Sequence, residues 1–277
     1  MGTIAVFMTV RNRLSLSEKC IEALYKNTSS DIHLFVFDNC TTHNIDGHFT
    51  YFSYLYKQGK LQKYVVNTLI STFNAFSKAM SFNEFGLYIE SLPDKSIYDF
   101  LLCLDNDMIL VEKDWDLIIK EAMEATSKKI PTLEIWAQYP GGCSGHDYTI
   151  PIKGQDTTIR LGINSGSGFW CIKPDFFSRV GLIEPELLVG INKRHDIELW
   201  SKLNELHKGK PYVCAIKIPM ALHFSYFNGK DLSICKPTRN DPSKEIIHHD
   251  VEQLVNSMSY EEFIEFIKKN EELFSQW

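Results

Sequence analysis

The first 125 residues alternate between short apolar runs and stretches in which apolar residues recur at helical spacing. Runs rich in β-branched and other apolar residues predict four buried strands, at residues 3–10, 32–39, 63–67 and 98–107. Helical periodicity predicts helices at residues 14–25, 72–90 and 114–125, and residues 40–60 are expected to form a loop. Strands that alternate with helices predict an α/β fold with a parallel sheet and right-handed crossovers.

The second half of the chain is patterned less regularly. We expect strands at residues 133–140 and 211–218, a helix at residues 195–208, and a loop at the stretch GGCSGHDY. The stretch GINSGSGFWCIKP is rich in glycine and serine before it becomes strand-like. From residue 240 onward the chain is polar, with helical segments such as YEEFIEFIKKNEELF. No internal repeat or low-complexity linker divides the chain, so one compact fold with a helical tail is expected.

An acidic interruption breaks the apolar run LLCLDNDMIL. Asp105 and Asp107 lie one residue apart, so an extended chain places both carboxylates on the same side, where they repel each other. Near the end of a buried strand this repulsion is costly unless a cation lies between or beside the two acids. A polar turn that ends the strand is the structural alternative, because Asp and Asn favour turns.

Polar side chains also follow the other predicted strands. Thr9, Arg11 and Arg13 lie at the end of the first strand, and Asp38 ends the second. In open parallel sheets, ligands bind beyond the carboxyl ends of the strands. These residues and the two acids are therefore expected to converge on one crevice, which favours a binding site over a simple turn.

Composition narrows the class of protein. The 277 residues are 44% hydrophobic and 23% charged, which is enough apolar material for a substantial core. The net charge of −6 provides no global attraction for nucleic acid or anionic membrane. Seven cysteines without a CxxC pair indicate neither a zinc ribbon nor a disulfide framework, and they favour the reducing cytoplasm. The start of the sequence does not have the pattern of a signal peptide, and no apolar run is long enough for a transmembrane segment.

The order of several short motifs resembles that of GT-A glycosyltransferases, and within them the family-2-like inverting, metal-dependent enzymes. The motifs are TVRNR, a strand ending in Asp38, a helix beginning near Asn74, LDNDM, SGSGFWCIKP, HDIELWSKL and LHFS, which together cover roughly residues 3–225. The resemblance implies a GT-A fold with one catalytic domain over residues 1–230. It divides that domain into a nucleotide half (about 1–110) and an acceptor half (about 111–230), and leaves residues 231–277 as a C-terminal helical extension.

The resemblance also implies a nucleotide-sugar donor, a UDP-sugar in particular, and a divalent metal ion. Asp105, Asp107 and His223 are the implied metal ligands. Carboxylates suit Mn2+ or Mg2+, and a histidine shifts the preference towards Mn2+. Asp107 is the stronger choice for direct metal contact, and Asp105 is expected near the ribose or in contact with the metal through water.

The implied donor-binding residues come from four segments of the first half. Asp38 is expected to hold the uracil or ribose, and an arginine after the first strand is expected to meet phosphate or the base. Phe73 stands where relatives often have an arginine, which leaves one phosphate contact open. The implied set is Thr9, Arg11, Arg13, Asp38, Asn74 and Asp105.

The second half supplies the implied acceptor-side residues. In an inverting transfer a carboxylate removes the proton of the acceptor hydroxyl, and HDIEL places Asp196 in that position, with Glu198 as the alternative base. Asp196 as a helix cap is the structural alternative. Trp170 is expected either to stack on a sugar or to lie in the core, and His146 is a candidate acceptor contact.

Several readings remain open from the sequence. A retaining GT-A enzyme would share the metal motif without needing the base. A nucleotidyltransferase would be expected to carry a Gly-rich loop after the first strand, which TVRNR lacks. A sugar-binding module is the non-enzymatic interpretation. The acceptor can be a glycan, a lipid-linked sugar, a protein side chain or a hydroxymethylated DNA base, the last as in phage-type DNA glycosyltransferases.

Overall fold

The computed structural model describes most of the chain. The described ranges are residues 2–39, 41–67, 74–138, 145–164, 168–184, 195–224, 226–227, 230–231, 237–238, 241–245 and 249–269. Only the backbone is described at residues 74–77, 195–197 and 249–252 and in the short strands after residue 225.

The strands are numbered in chain order. They are β1 (Thr3–Val10), β2 (Asp31–Asp38), β3 (Lys63–Val66), β4 (Tyr98–Asp105), β5 (Met108–Leu110), β6 (Ile135–Gln138), β7 (Gly145–Ile152), β8 (Gln155–Gly162), β9 (Phe169–Ile172), β10 (Val213–Ile216), β11 (Ala221–His223), β12 (Tyr226–Phe227), β13 (Lys230–Asp231), β14 (Pro237–Thr238) and β15 (Asp241–Glu245). Among the described residues, nine strands form one sheet in the order β3-β2-β1-β4-β9-β6-β10-β8-β7. β5 and β11 pair with each other outside it.

The helices flank this sheet, and the last two lie in the C-terminal tail. They are α1 (Leu14–Asn27), α2 (Ile45–Lys57), α3 (Asn74–Glu90), α4 (Trp115–Ser127), α5 (Phe176–Val180), α6 (His195–His207), α7 (His249–Ser257) and α8 (Tyr260–Lys269), with a 3₁₀ turn at Lys95–Ile97 before β4.

Strand directions confirm the predicted α/β class and refine it. β3, β2, β1 and β4 are parallel, so their carboxyl ends share one edge of the sheet. β9 runs antiparallel to both β4 and β6, and β8 runs antiparallel to both β10 and β7. The sheet is therefore mostly parallel, with the reversed strands confined to the second half.

The core forms on both faces of the sheet because successive residues of a buried strand point to opposite sides. Ile4, Val6 and Met8 of β1 belong to the apolar cluster that includes α1 and α4. Phe7 belongs to the cluster on the other face, where its ring stacks on Phe85 of α3 at 5.3 Å. Both faces of β1 are thus covered, as its continuous apolar sequence predicts.

Two local expectations were wrong. Residues 45–57 form α2 and not a loop, because His48, Phe52 and Leu55 are buried at helical spacing and this burial outweighs the weak helix propensity of an aromatic-rich segment. The last four residues of GGCSGHDY begin β7, which pairs with β8 across a turn at Lys153 and Gly154. Both turn residues have positive φ (49° and 72°), as a two-residue hairpin requires.

The helical tail packs back onto the rest of the fold, as its predicted apolar stripe suggests. Val255, Phe263 and Ile267 are buried in the same apolar cluster as Leu16 and Met108. Through these buried residues, α7 and α8 share an apolar cluster with α1 and with the segment after β4. Within residues 249–269 the described tail consists of α7 and α8, whereas the short strands β14 and β15 lie earlier in the segment expected to be a helical extension.

Candidate functional site

An acidic turn (Asp105, Asn106 and Asp107) connects β4 to β5 at the carboxyl edge of the sheet. The Asp105 N–H donates to the Gly168 carbonyl at 2.9 Å, and the Phe224 N–H donates to the Asp107 carbonyl at 2.8 Å. The turn is thus held by backbone contacts to the segments before β9 and after β11. These contacts fix the chain positions from which both carboxylates project.

Helix α1 supports the acidic turn from below. Asn106 Nδ2 donates to Ser17 Oγ at 2.8 Å, and the Cys20 thiol donates to the Met108 carbonyl at 3.0 Å. Burial, reinforced by the nearby Asp107 carboxylate, raises the pKa of the Cys20 thiol well above its usual range. The buried Cys20 thiol therefore acts as a structural hydrogen-bond donor to the acidic turn region.

Asp107 is a buried carboxylate with two different neighbours. Its Oδ2 accepts from Arg13 Nη1 at 2.8 Å, and its Oδ1 lies 3.4 Å from His223 Nε2. Burial alone would raise the pKa of Asp107, but His223 and Arg13 outweigh it and hold that pKa below the usual range. Among the described residues, no hydrogen bond is formed to the buried Asp107 Oδ1, and the His223 imidazole is the group that faces it.

His223 reaches the acidic turn because β11 is fixed from both sides. β11 pairs with β5 so that His223 is opposite Met108, and the Gln138 side chain exchanges two hydrogen bonds with the backbone of Ala221. Burial lowers the pKa of His223, but the Asp107 carboxylate more than compensates and raises it above its ordinary value. The predicted pairing of a late histidine with the acidic motif is thus present in the geometry.

Asp105 forms an ion pair with a lysine that the sequence did not identify as a site residue. Lys78 Nζ of α3 contacts Asp105 Oδ1, and both side chains are mostly buried. Lys78 lies four residues after Asn74, one helical turn further along the same face. Following that face of the predicted helix from Asn74 was the signal that could have found it.

The loop after β1 turns sharply to bring Arg13 to Asp107. Asn12 and Arg13 both adopt left-handed backbone conformations, with φ of 53° and 51°. The Asn12 side-chain oxygen accepts from the N–H groups of Thr42 and His43 at 2.8 and 2.9 Å, which ties this loop to the one after β2. Left-handed conformations are disfavoured for residues other than glycine, and Asn is among those that tolerate them best.

Asp38 lies at the end of β2 with its side chain 2% exposed. Oδ1 accepts from the Thr41 N–H at 2.8 Å, and Oδ2 accepts from the Tyr64 hydroxyl at 2.9 Å. Burial and the Asp38 carboxylate raise the pKa of Tyr64 above its ordinary value. Both oxygens of Asp38 are therefore engaged within the protein, and its contact to a base or ribose stays a prediction.

The remaining donor-side residues are placed less completely. Thr9 is buried and lies opposite Asp105 in the β1–β4 register. Arg11 is partly buried directly after β1. Asn74 begins α3 as predicted, but its side chain, like Phe73 before it, lies outside the described part of the structure. Roles in donor binding for these residues stay predictions.

Helix α6 points its beginning towards the same edge as the acidic turn. It ends at His207, whose Nε2 lies 3.1 Å from Glu134 Oε1, at the amino end of β6. Closer to the start of α6, the Trp200 ring lies 6.3 Å from the ring of Trp170, which pairs with Cys103 near the end of β4, so α6 runs from His207 towards the carboxyl edge at its first turn. Asp196 is in that first turn, and its side chain lies outside the described part of the structure.

The two acceptor-side candidates differ in their distance from the acidic turn, since Trp170 lines a small cavity together with Lys78 and Asp105, and His146 lies on β7. Trp170 is 3% exposed, with its ring 5.4 Å from Phe82 and 6.3 Å from Trp200, which is the core position left open by the sequence. His146 is exposed on β7, the last strand of the sheet. Five strand spacings of about 4.8 Å separate β7 from β4, so His146 is roughly 24 Å away across the sheet.

The donor set at the acidic turn fits a divalent cation of the predicted kind. A carboxylate oxygen and an imidazole nitrogen are suitable ligands for Mn2+ and, through the oxygen, for Mg2+. No group of three or more His, Cys, Asp or Glu that could hold a metal occurs within the described ranges. Asp107 and His223 would thus provide part of a coordination shell, and water and phosphate oxygens commonly provide the rest.

Comparison with known proteins is informative at the level of fold. No protein-family model matches the chain, and no curated protein matches its sequence. A crystal structure of GalNAc-T7 with UDP, GalNAc and Mn2+ aligns with a TM-score of 0.55 and 13% identity, over 99% of this chain and 58% of that one. The chain therefore has the GT-A fold predicted from its motifs, and it spans little more than half the length of that protein.

Two other solved structures align less well. TarS residues 1–349 from S. aureus align with a TM-score of 0.47 and 11% identity, over 80% of this chain and 59% of that one. The mannosyltransferase PcManGT from Pyrobaculum calidifontis, in complex with GDP-Man and Mn2+, aligns with a TM-score of 0.46 and 12% identity, over 76% of this chain and 56% of that one.

Within the described residues, no helix combines the length and apolarity needed to cross a membrane.

Proposed function

We propose that this chain is a glycosyltransferase that moves a sugar from a nucleotide-sugar donor to an acceptor hydroxyl. The observation that carries the proposal is the buried Asp107 carboxylate, whose Oδ1 faces His223 Nε2 at 3.4 Å at the carboxyl edge of a GT-A sheet. The aligned GalNAc-T7 structure contains UDP, GalNAc and Mn2+, which supports a UDP-sugar and a divalent metal for this chain.

Asp107 and His223 would hold the metal ion, with Asp105 close by. When bound, such an ion supplies positive charge that stabilises a departing diphosphate. Arg13 and Lys78 bring two further positive charges to this edge, one beside each acid. They offset the repulsion between the carboxylates and leave the edge able to accept the negative charge of a diphosphate.

The transfer itself is assigned as inverting, with Asp196 as the base. The acceptor oxygen attacks the anomeric carbon while its proton passes to the Asp196 carboxylate, and the bond between that carbon and the diphosphate oxygen breaks. The direction of α6 supports this role because it brings the first turn of the helix towards the edge that carries the acidic turn. A retaining transfer is the alternative and would not need Asp196.

We also assign the protein to the reducing cytoplasm. Cys20, Cys103, Cys171 and Cys214 are buried thiols, and each lies within a helix or strand of the core. Burial raises the pKa of the Cys103 and Cys171 thiols, so they remain protonated and behave as small apolar groups.

The function is tested by following UDP release from a panel of UDP-sugars with Mn2+, with and without candidate acceptor hydroxyls. Asp107→Asn keeps the shape of the side chain but removes its charge, so we expect release to fall by at least about a hundredfold, the scale of one strong transition-state electrostatic contact. Asp147→Asn is the matched control, because Asp147 is an ion-paired acid on β7. Normal release by the Asp107 variant would contradict the proposal.

A further inference from the structure

We propose that the C-terminal helices α7 and α8 form a brace that positions His223 against Asp107, and that Phe263 is the positioning residue through which the brace acts. This inference rests on the proposed function in one respect, the identity of the ligand that His223 binds. It assigns a role to the tail, which lies outside the motifs shared with GT-A enzymes.

Phe263 contacts the segment that carries His223. The Phe263 side chain is fully buried, and its ring lies 5.5 Å from the ring of Phe224 at an angle of 52°. Phe224 directly follows His223, and its N–H donates to the Asp107 carbonyl at 2.8 Å. One aromatic contact therefore fixes the residue whose backbone joins the histidine to the acidic turn.

The brace is also fastened to α1, which supports the acidic turn from the other side. Lys19 Nζ donates to the Met258 carbonyl at 2.6 Å, and Asn27 Nδ2 donates to the Tyr260 hydroxyl at 3.4 Å. Lys26 lies 4.0 Å from the centre of the Tyr260 ring. Helix α1 begins directly after Arg13, and its Ser17 hydroxyl accepts a hydrogen bond from Asn106. The brace therefore contacts both α1 and Phe224, which hold the acidic turn from two sides.

Helix α8 is built to present Phe263 in a fixed orientation. The Ser259 N–H donates to Glu262 Oε2 at 2.7 Å, and the Glu262 N–H donates to Ser259 Oγ at 3.2 Å, which is a reciprocal capping box. Acidic residues occupy the first turn of α8 and lysines its last turn, which favours the helix through its dipole. Phe263 and Ile267 lie one turn apart on the buried face.

Hydrogen exchange of the 221–224 backbone tests the brace without any ligand. We expect slow exchange in the intact chain and at least tenfold faster exchange in Phe263→Ala, with partial recovery in Phe263→Leu. Ile267→Ala is the matched control, because Ile267 is equally buried on the same helix face one turn away. If the two alanine variants change exchange at 221–224 equally, or if neither changes it, the proposal is overturned.

Binding of Mn2+ with UDP is the second readout, measured by titration calorimetry on the same variants. We expect at least tenfold weaker binding in Phe263→Ala than in Ile267→Ala at matched losses of melting temperature. Faster exchange without weaker binding would overturn the positioning role. If the intact chain binds no nucleotide at all, the proposed function fails, and the exchange experiment still decides whether the brace holds His223. Should Phe263→Ala not fold, Phe263→Leu and Phe224→Leu carry both measurements.

Discussion

Each acid of the acidic turn has a basic side chain from a different part of the fold. Arg13, from the loop after β1, contacts Asp107, and Lys78, from α3, contacts Asp105. Two carboxylates on one side of a strand end repel each other, and a nearby opposite charge favours their ionised forms. Each carboxylate of the acidic turn therefore has a positive charge beside it before any ligand arrives.

Lys78 is expected to matter for donor binding because it sets the position and charge balance of Asp105. In Lys78→Gln the Asp105 carboxylate loses its partner and repels the diphosphate, so we expect UDP with Mn2+ to bind about tenfold more weakly, equal to about 1.4 kcal/mol. Lys78→Arg keeps the charge and is expected to recover most of the affinity. Titration calorimetry measures this.

A matched control for Lys78 lies elsewhere on the sheet. Lys120 Nζ contacts Asp99 at 3.0 Å, near the start of β4 and not at its end. Lys120→Gln breaks a lysine–aspartate pair of similar geometry but at the opposite edge, so its affinity for UDP is expected to stay at the wild-type value. Equal affinity in both glutamine variants would show that Lys78 has no part in the donor site.

The meeting of Arg13 with Asp107 was predictable from sequence, and that of Lys78 with Asp105 was not. Arg13 and Asp107 each follow a parallel strand, and the carboxyl ends of neighbouring parallel strands share an edge whatever the details of packing. Lys78 reaches Asp105 only through the rotation and tilt of α3 on the sheet. That placement depends on the packing of residues such as Phe82 and Phe85, which periodicity alone does not fix.

At the scale of elements, α6 connects the two edges of the sheet. Its last residue, His207, is near Glu134, and Arg179 Nη1 also donates to Glu134 Oε1, at 2.6 Å. This buried carboxylate thus anchors α6 and α5 at the amino edge. The opposite end of α6, which carries Asp196, is then directed to the edge where the acidic turn lies.

The inverting assignment predicts a large effect at one carboxylate of α6 and a small effect at its neighbour. Asp196→Asn removes the base and is expected to slow transfer by roughly 10²–10⁴-fold while leaving UDP affinity unchanged. Glu198→Gln, two residues along the same helix, is the control and is expected to retain most activity. NMR of the product anomer and steady-state kinetics measure this.

Near-normal turnover in the asparagine variant, or a product with the donor's anomeric configuration, would contradict the inverting assignment. A large loss in Glu198→Gln with activity retained in Asp196→Asn would transfer the role to Glu198. Neither result would affect the assignment of Asp107, because Asp107 is proposed to hold the metal ion on the donor side, whereas the base acts on the acceptor hydroxyl.

Two elements that the sequence did not predict, α2 and β7, depend on contacts with other parts of the fold. α2 carries aromatic residues and a glycine, Gly47, that lower helix propensity, and packing against the sheet, with Phe52 stacked 4.7 Å from Tyr64 of β3, stabilises it. β7 begins at Gly145 with five exposed residues, so no apolar alternation marks its first half. Its hairpin partner β8 supplies the hydrogen bonds that the pattern could not indicate.

At the scale of the whole molecule, the tail and the rest of the fold share one core. Phe263 belongs to the same apolar cluster as residues of β5 and β11, which border the acidic turn. An apolar stripe in the sequence predicts that α8 packs on something, but it does not identify the surface. That surface is α1 together with Phe224, so removal of the tail is expected to affect the site as well as stability.

The acidic turn is proposed to hold a nucleotide through a divalent cation. The most direct test is the melting temperature of the intact chain with UDP, with Mn2+, and with both. At a UDP concentration a hundredfold above Kd, linkage gives about 2.7 kcal/mol, which for a chain of this size raises Tm by roughly 5 °C or more. We predict that this rise requires both ligands and disappears in Asp107→Asn but not in Asp147→Asn. An unchanged Tm in a folded sample, or an equal rise without Mn2+, would contradict the claim.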